Sequence, residues 1–173
     1  MFDSADNGMA GFDIVRPGLI MVATGEYALA KHPEVLSTAA LGSCVGVTIW
    51  DPFRHVGGMA HVMLPTPSDT ATKGNVSRFA SVAVPEMVER LSTGGARHRL
   101  VAKLCGGSAM FKDDSKLASI GERNVDEARH QLALLRVPVV AEDTGGSHAR
   151  TIELRLDTGI VIVRSYAYGI REI

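Results

Sequence analysis

An α+β fold is the class this sequence predicts, and three observations predict it. Segments of strand character outnumber those of helical spacing, and several strands follow one another with no helix between them. A chain of 173 residues is also long enough to bury a core without crosslinks. A doubly wound parallel sheet would instead alternate strand and helix. Residues 1–17 read as a flexible, polar N-terminal arm ending in "RPG", and residues 18–173 as a single domain.

Each element has a local reason. "LIMVATGEYALA" is rich in apolar and β-prone residues and predicts a strand or a bent strand pair. "VLSTAALGS" leads into "CVGVTIWD", where Val45, Val47 and Ile49 alternate with Gly46, Thr48 and Trp50, the period of a half-buried strand. "DPFRHVGG" supplies turn residues and "MAHVMLP" resumes as a strand, so the two segments are expected to pair as a hairpin. "TPSDTATKGN" reads as a polar, mobile loop. Phe79, Val82, Ala83, Met87, Val88 and Leu91 recur at helical spacing, with Pro85 marking a kink or a late start and "STGG" the stop. "RLVAKLCGG" predicts a strand entering a glycine turn. "NVDEARHQLALL" predicts a helix capped by Asn124, with Val125, Ala128, Leu132 and Leu135 on one face. "PVVAED", "RTIELRLD" and "GIVIVRSY" are strands, the last two joined through "DTG".

Composition removes several function classes. A formal net charge of -1 leaves no broad basic field for a nucleic acid or an anionic membrane. The start, "MFDSADNGMAGFD", lacks the basic and apolar regions of a signal peptide, and "LIMVA" is too short to insert in a bilayer. Two cysteines, Cys44 and Cys105, make no disulfide framework, so a cytoplasmic chain with available thiols is expected. The remaining histidines show no paired ligand spacing, and no metal or other cofactor is expected.

The stretch "LGSCVGV" carries the chemistry. Cys44 opens one strand of the expected hairpin and His61 lies in the other. An unperturbed thiol is mostly protonated at neutral pH, whereas a neighbouring imidazole can take its proton and later return it to a departing amine. The Cys44 sulfur and an imidazole nitrogen of His61 are therefore expected close to hydrogen-bonding distance. Gly42 and Gly46 would let a substrate amide approach, and the N–H groups of Ser43 and Cys44 would face a developing oxyanion. Asp143, in "AEDTGG", is a candidate for binding a substrate amide or for capping a turn. Free cysteine is also among the most buried residue types, and a strand histidine commonly serves as a hydrogen-bonded core residue. Spacing alone does not choose between these roles.

Longer segments narrow the choice. "LSTAALGSCVGVTIWDPFRHVGGMAHVMLP", "KLCGGSAMF", "IGERNVDEARHQLALLRVPVVAEDTGG" and "RTIELRLDTGIVIV" resemble, in order and spacing, the CheD family of chemoreceptor glutamine deamidases. The resemblance implies Cys44 as nucleophile, His61 as base and Thr38 as the third member. It implies hydrolysis of receptor glutamine side chains to glutamate with release of ammonia, and it extends to receptor methylester hydrolysis. The implied partners are cytoplasmic domains of methyl-accepting chemotaxis receptors and a CheC-type phosphatase. The implied fold is β-sandwich-like, with mixed sheets flanked by helices, similar to the catalytic domain of the cytotoxic necrotizing factors. Two positions depart from the family pattern: Cys105 stands where an apolar or aromatic residue is commoner, and Ala149 where a glycine precedes the arginine. Two other classes compete with the enzyme. One is a non-catalytic adaptor for a receptor or phosphatase; the other is a hydrolase in which Cys44 and His61 ligate a metal.

Overall fold

The computed structural model describes residues 18–68, 74–110 and 119–173. The N-terminal arm and the centre of the "TPSDTATKGN" loop lie outside them. Ten strands and two α-helices are described: β1 (Leu19–Met21), β2 (Tyr27–Lys31), β3 (Val35–Leu41), β4 (Val45–Asp51), β5 (Val56–Val62), α1 (Ala80–Leu91), β6 (Val101–Gly106), α2 (Ile120–Leu134), β7 (Val139–Thr144), β8 (Arg150–Arg155), β9 (Val161–Ser165) and β10 (Gly169–Glu172). One sheet has the order β1-β3-β8-β9-β10 and the other β2-β5-β4-β6-β7. Both are mixed, because β1 runs parallel to β3 and β6 parallel to β7 while the other neighbours are antiparallel.

Three layers follow from what each face buries. Leu36, Leu41, Met59, Cys105, Ile152, Leu154 and Val163 form the core between the sheets. Val45, Val47, Ile49, Ala60 and Val62 face the other way and pack with Ala83, Met87, Val88, Val125, Ala128 and Leu132 of the helices. The expected α+β class, with two mixed sheets and flanking helices, is therefore what the chain forms. Both helices lie on the second sheet.

Particular elements differ from the local reading. β4 is buried on both faces rather than one, since the first sheet covers one side and the helices the other. The hairpin of β4 and β5 forms, but β5 begins at Val56, so Gly57 and Gly58 belong to the strand and not the turn. Added Cβ atoms there would meet the Ile49 carbonyl oxygen at 2.7 Å and a Leu29 methyl at 2.5 Å. α1 starts late, after a short 3-10 turn over Val76–Arg78, and carries Pro85 inside it. α2 starts at Ile120, so Asn124 lies within the helix and does not cap it. β3 and β10 lack a clear pattern in the sequence: β3 includes polar Ser37 and Thr38, and β10 is exposed along its whole length.

Gly46 sets the gap between the sheets. A Cβ there would lie 2.6 Å from Cδ1 of Ile152 and 2.9 Å from Cδ1 of Leu41, both in the first sheet. Its missing side chain admits those residues, so it serves sheet packing and not the substrate approach expected of it. Gly46→Ala should destabilise the fold by about 1–3 kcal/mol through overpacking, read as a lower midpoint in urea with unchanged slope.

Candidate active site

Three segments converge at one end of the sandwich. β3 pairs with β8 in regular register as far as Thr38↔Ile152, then shifts before Leu41↔Arg150. Ala40 within this bulge takes φ 58°, a left-handed conformation uncommon for a residue with a Cβ. After the bulge the chain leaves the first sheet, passes through Gly42 and Ser43, and enters the second as β4. Thr38 thus closes the regular part of one sheet, and Cys44 stands at the threshold of the other.

His61 lies opposite Gly46 in the β4–β5 ladder, so both face the space between the sheets. Its backbone is anchored on the far side, with its N–H donating to Glu26 O at 2.9 Å and its carbonyl accepting from Gly25 N at 2.9 Å. The ring reaches the opposite sheet: Nδ1 is 2.8 Å from Oγ1 of Thr38. That hydroxyl also donates to the Val22 carbonyl at 2.8 Å. A carbonyl can only accept, and a hydroxyl has one proton. Thr38 therefore accepts from Nδ1–H, which leaves Nε2 of neutral His61 as the bare nitrogen. Nε2 is buried and has no hydrogen-bond partner among the described residues.

Cys44 is half-buried and packs against the inter-sheet core, on the side to which His61 points. The expected thiol–imidazole hydrogen bond is not formed. The register explains the gap: His61 faces Gly46, two residues along from Cys44, so thiol and ring are diagonal rather than direct neighbours. Burial pushes the Cys44 thiol up and the His61 imidazole down from their ordinary values. Both shifts favour the uncharged forms. Neither shift favours the preformed thiolate–imidazolium pair that the pairing suggests.

The loop carrying the thiol is held by its carbonyls. Gly42 O accepts from Ser108 N at 2.8 Å, Ser43 O from Asn124 Nδ2 at 3.0 Å, and Cys44 O from Gly107 N at 2.9 Å. No acceptor among the described residues meets the N–H of Ser43 or Cys44. Two amide donors are thus left to face a ligand.

The family model described as CheD chemotactic sensory transduction matches residues 63–165, more than half of the chain. The chain belongs to the CheD family. Among its relatives, the chemoreceptor glutamine deamidase CheD of Thermotoga maritima is 43 % identical over 150 residues, covering 86 % of this chain and 93 % of that one. A CheD of Geobacter metallireducens, named a probable chemoreceptor glutamine deamidase, is 43 % identical over 159 residues, covering 90 % and 98 %. A CheD of Methanosarcina acetivorans, named likewise, is 40 % identical over 154 residues, covering 88 % and 96 %. The solved structure of the hypothetical protein YfiH of Bacillus licheniformis gives a TM-score of 0.43 at 13 % identity, over 73 % of this chain and 58 % of that one.

The other candidate residues of this CheD chain take different places. Gly42 lies beneath the Met110 side chain, where an added Cβ would come within 3.1 Å of Cγ. Asp143 is buried, with Oδ1 accepting from Arg150 Nε at 3.0 Å and Oδ2 from Arg171 Nε at 2.7 Å. Burial raises its carboxyl, but the guanidinium groups of Arg171 and Arg150 outweigh that and hold it below its ordinary value. Arg150 in turn donates to the Ser108 hydroxyl at 2.7 Å, and Ser108 carries the amide that anchors Gly42. Asp143 therefore underpins the loop through its ion pairs with Arg150 and Arg171. Cys105 faces the inter-sheet core opposite Gly46 and is pushed up to about 12, by burial first and then by Asp143. It is an inert packing thiol. Ala149, not being at positive φ, replaces a glycine without backbone strain.

Sequence reasoning missed Ser108, Arg150 and the true position of Asn124. Only Asn124 left a signal: it shares a helical face with Ala128, and a polar residue on a buried stripe needs a specific partner. Among the described residues no group of three or more His, Cys, Asp or Glu side chains gathers to hold a metal ion, and no helix is long and apolar enough to cross a membrane.

The shifts have a chemical consequence. Because only the thiolate is alkylated, Cys44 should react with iodoacetamide more slowly at pH 7 than free cysteine does. Its rate should rise with a midpoint above the ordinary 9.0, and Cys105 should stay unmodified while the protein is folded. A midpoint near neutrality would instead reveal a standing thiolate–imidazolium pair. Breaking the buried ion pair by Asp143→Ala should cost about 3–5 kcal/mol of stability, measured by denaturant unfolding.

Proposed function

We propose that this chain is a cysteine-dependent protein-glutamine deamidase acting on cytoplasmic domains of methyl-accepting chemoreceptors. It converts glutamine side chains to glutamate and releases ammonia. One observation carries the reading beyond family membership: the Thr38–His61 hydrogen bond fixes the tautomer whose free nitrogen faces the side of the ribbon on which Cys44 lies. The names of the relatives supply the substrate class.

The reaction follows from the groups present. A glutamine carboxamide approaches the half-exposed thiol, and Nε2 of His61 takes the thiol proton as sulfur attacks the amide carbon. The carbonyl oxygen gathers negative charge toward the N–H groups of Ser43 and Cys44. The Nε2–H of the imidazolium then protonates the departing nitrogen, the C–N bond breaks, and ammonia leaves a γ-glutamyl thioester. Neutral His61 next takes a proton from water, which attacks the thioester and frees glutamate and the thiol. Thr38 accepts from Nδ1–H throughout, so the ring keeps its orientation. A neutral hydroxyl supports the imidazolium less than a carboxylate would, consistent with charges that exist only while substrate is bound.

The adaptor alternative keeps the surface and dispenses with the chemistry; the buried, tautomer-fixed histidine beside a cysteine favours the enzyme. A CheC-type phosphatase remains a proposed partner, and the cytoplasm the proposed location. Purified protein incubated with chemoreceptor cytoplasmic fragments should raise the mass of glutamine-containing peptides by one amide-to-acid exchange, unchanged by chelator. Cys44→Ala should abolish the exchange, and His61→Ala should lower it by about 10²–10⁴-fold. Receptor binding with no mass change in the unaltered protein would establish the adaptor, and loss of activity on chelation would establish a metal-assisted hydrolase.

A further inference from the structure

We infer that Asn124 is a positioning residue for the deamidation proposed above, aiming the Cys44 backbone N–H at the substrate oxygen. Its side chain enters from α2 and is fully buried. Nδ2 donates to two carbonyls, Ser43 O at 3.0 Å and Met63 O at 2.9 Å. Two carbonyl partners identify this atom as the nitrogen, since an oxygen there would face acceptors alone.

The two carbonyls are a meaningful pair. The β4–β5 ladder ends at Val45↔Val62, and Cys44 and Met63 are the next residues outward on the two strands. Ser43 precedes the thiol on one strand, and Met63 follows His61 on the other. One buried amide therefore ties together the segments that carry the nucleophile and the base, where the ladder no longer does.

Direction follows from the peptide unit. The Ser43–Cys44 peptide is trans, because the cis bond among the described residues is His32–Pro33. In a planar trans peptide the C=O and the N–H point in opposite directions. Asn124 draws the Ser43 carbonyl toward the helix, so it turns the Cys44 N–H away from the helix and into the open side of the loop. Ser108 N does the same for the Gly42 carbonyl and hence for the Ser43 N–H. The helix cannot drift: an added Cβ on Gly121 would come within 2.6 Å of the Gly107 backbone, so α2 rests directly on the turn that anchors Cys44 O. The other side-chain atom, Oδ1, is buried with no hydrogen-bond partner among the described residues. A buried acceptor left unmatched costs stability, which the opposing Nδ2 bonds must offset; its placement serves the loop rather than the helix.

The test separates aiming from mere support. Asn124→Ala is compared with the unaltered protein for deamidation of a chemoreceptor cytoplasmic fragment, for iodoacetamide alkylation of Cys44 and for thermal midpoint. Alkylation occurs at a saturated carbon and builds no oxyanion, so it reports the thiol alone. The expected result is a kcat lower by about 10²-fold, with KM and the alkylation rate changed by less than about threefold. An unchanged kcat, or alkylation falling in parallel with kcat, overturns the proposal. Should Asn124→Ala fail to fold, Asn124→Asp keeps the size and sets a carboxylate against both carbonyls. Only its protonated form donates, so its kcat relative to the unaltered protein should climb as pH falls, and a ratio flat with pH overturns the proposal. If the unaltered protein itself leaves the fragment unchanged, the deamidase assignment fails and this inference with it; an active protein with an equally active Asn124→Ala variant removes only the role of Asn124.

Discussion

Thr38 has one proton to give, and the Val22 carbonyl takes it. The chemistry available at the site depends on that allocation, because it obliges the hydroxyl to accept from His61 Nδ1–H and leaves Nε2 bare. The bond also spans the sandwich, joining the middle of β3 in one sheet to a residue near the end of β5 in the other. It exists only if the sheets come close at that level. Gly46, opposite His61, provides the closeness by leaving its place to Ile152 and Leu41. Packing between sheets and the tautomer of one ring are thus the same constraint seen at two scales.

Burial makes the site quiet at rest. The low-dielectric surroundings favour a protonated thiol and an uncharged ring, and no carboxylate among the described residues is hydrogen-bonded to His61 to hold a positive charge there. In the proposed reaction the charges appear together, sulfur and imidazole acting as substrate arrives. The fixed part of the apparatus is then the backbone. Gly42, Ser43 and Cys44 surrender their carbonyls to Ser108, Asn124 and Gly107, and the amides between them are aimed outward in consequence. Behind Ser108 stands the buried Arg150–Asp143 ion pair, which the exposed Arg171 extends as far as β10.

Where the physics is local, the residues could be read directly. Val45, Val47 and Ile49 declare a strand, and the turn residues of "DPFR" declare that it folds back on the segment containing His61. The same residues could not reveal that Gly46 and Thr48 would be buried too, because alternation records one face and the second face is covered by a sheet drawn from distant segments. β10 escaped because an exposed edge strand needs no apolar pattern. Asn124 resembles a cap because it precedes Val125 and two acids, the local grammar of a helix start; its partners, Ser43 and Met63, are remote in the chain.

By itself the sequence determined the α+β class and the β4–β5 hairpin and pointed to Cys44, His61 and Thr38 as candidates, since the first two arise from near-neighbour patterning and the third from the resemblance of long ordered segments to one family. Only the tertiary structure decided which ring nitrogen of His61 is free, that thiol and ring are diagonal neighbours whose burial favours the uncharged forms, and that Asp143 serves an ion pair. Those outcomes depend on hydrogen-bond partners and burial contributed by strands and helices far apart in the chain, and no local pattern of residues encodes which of them will meet.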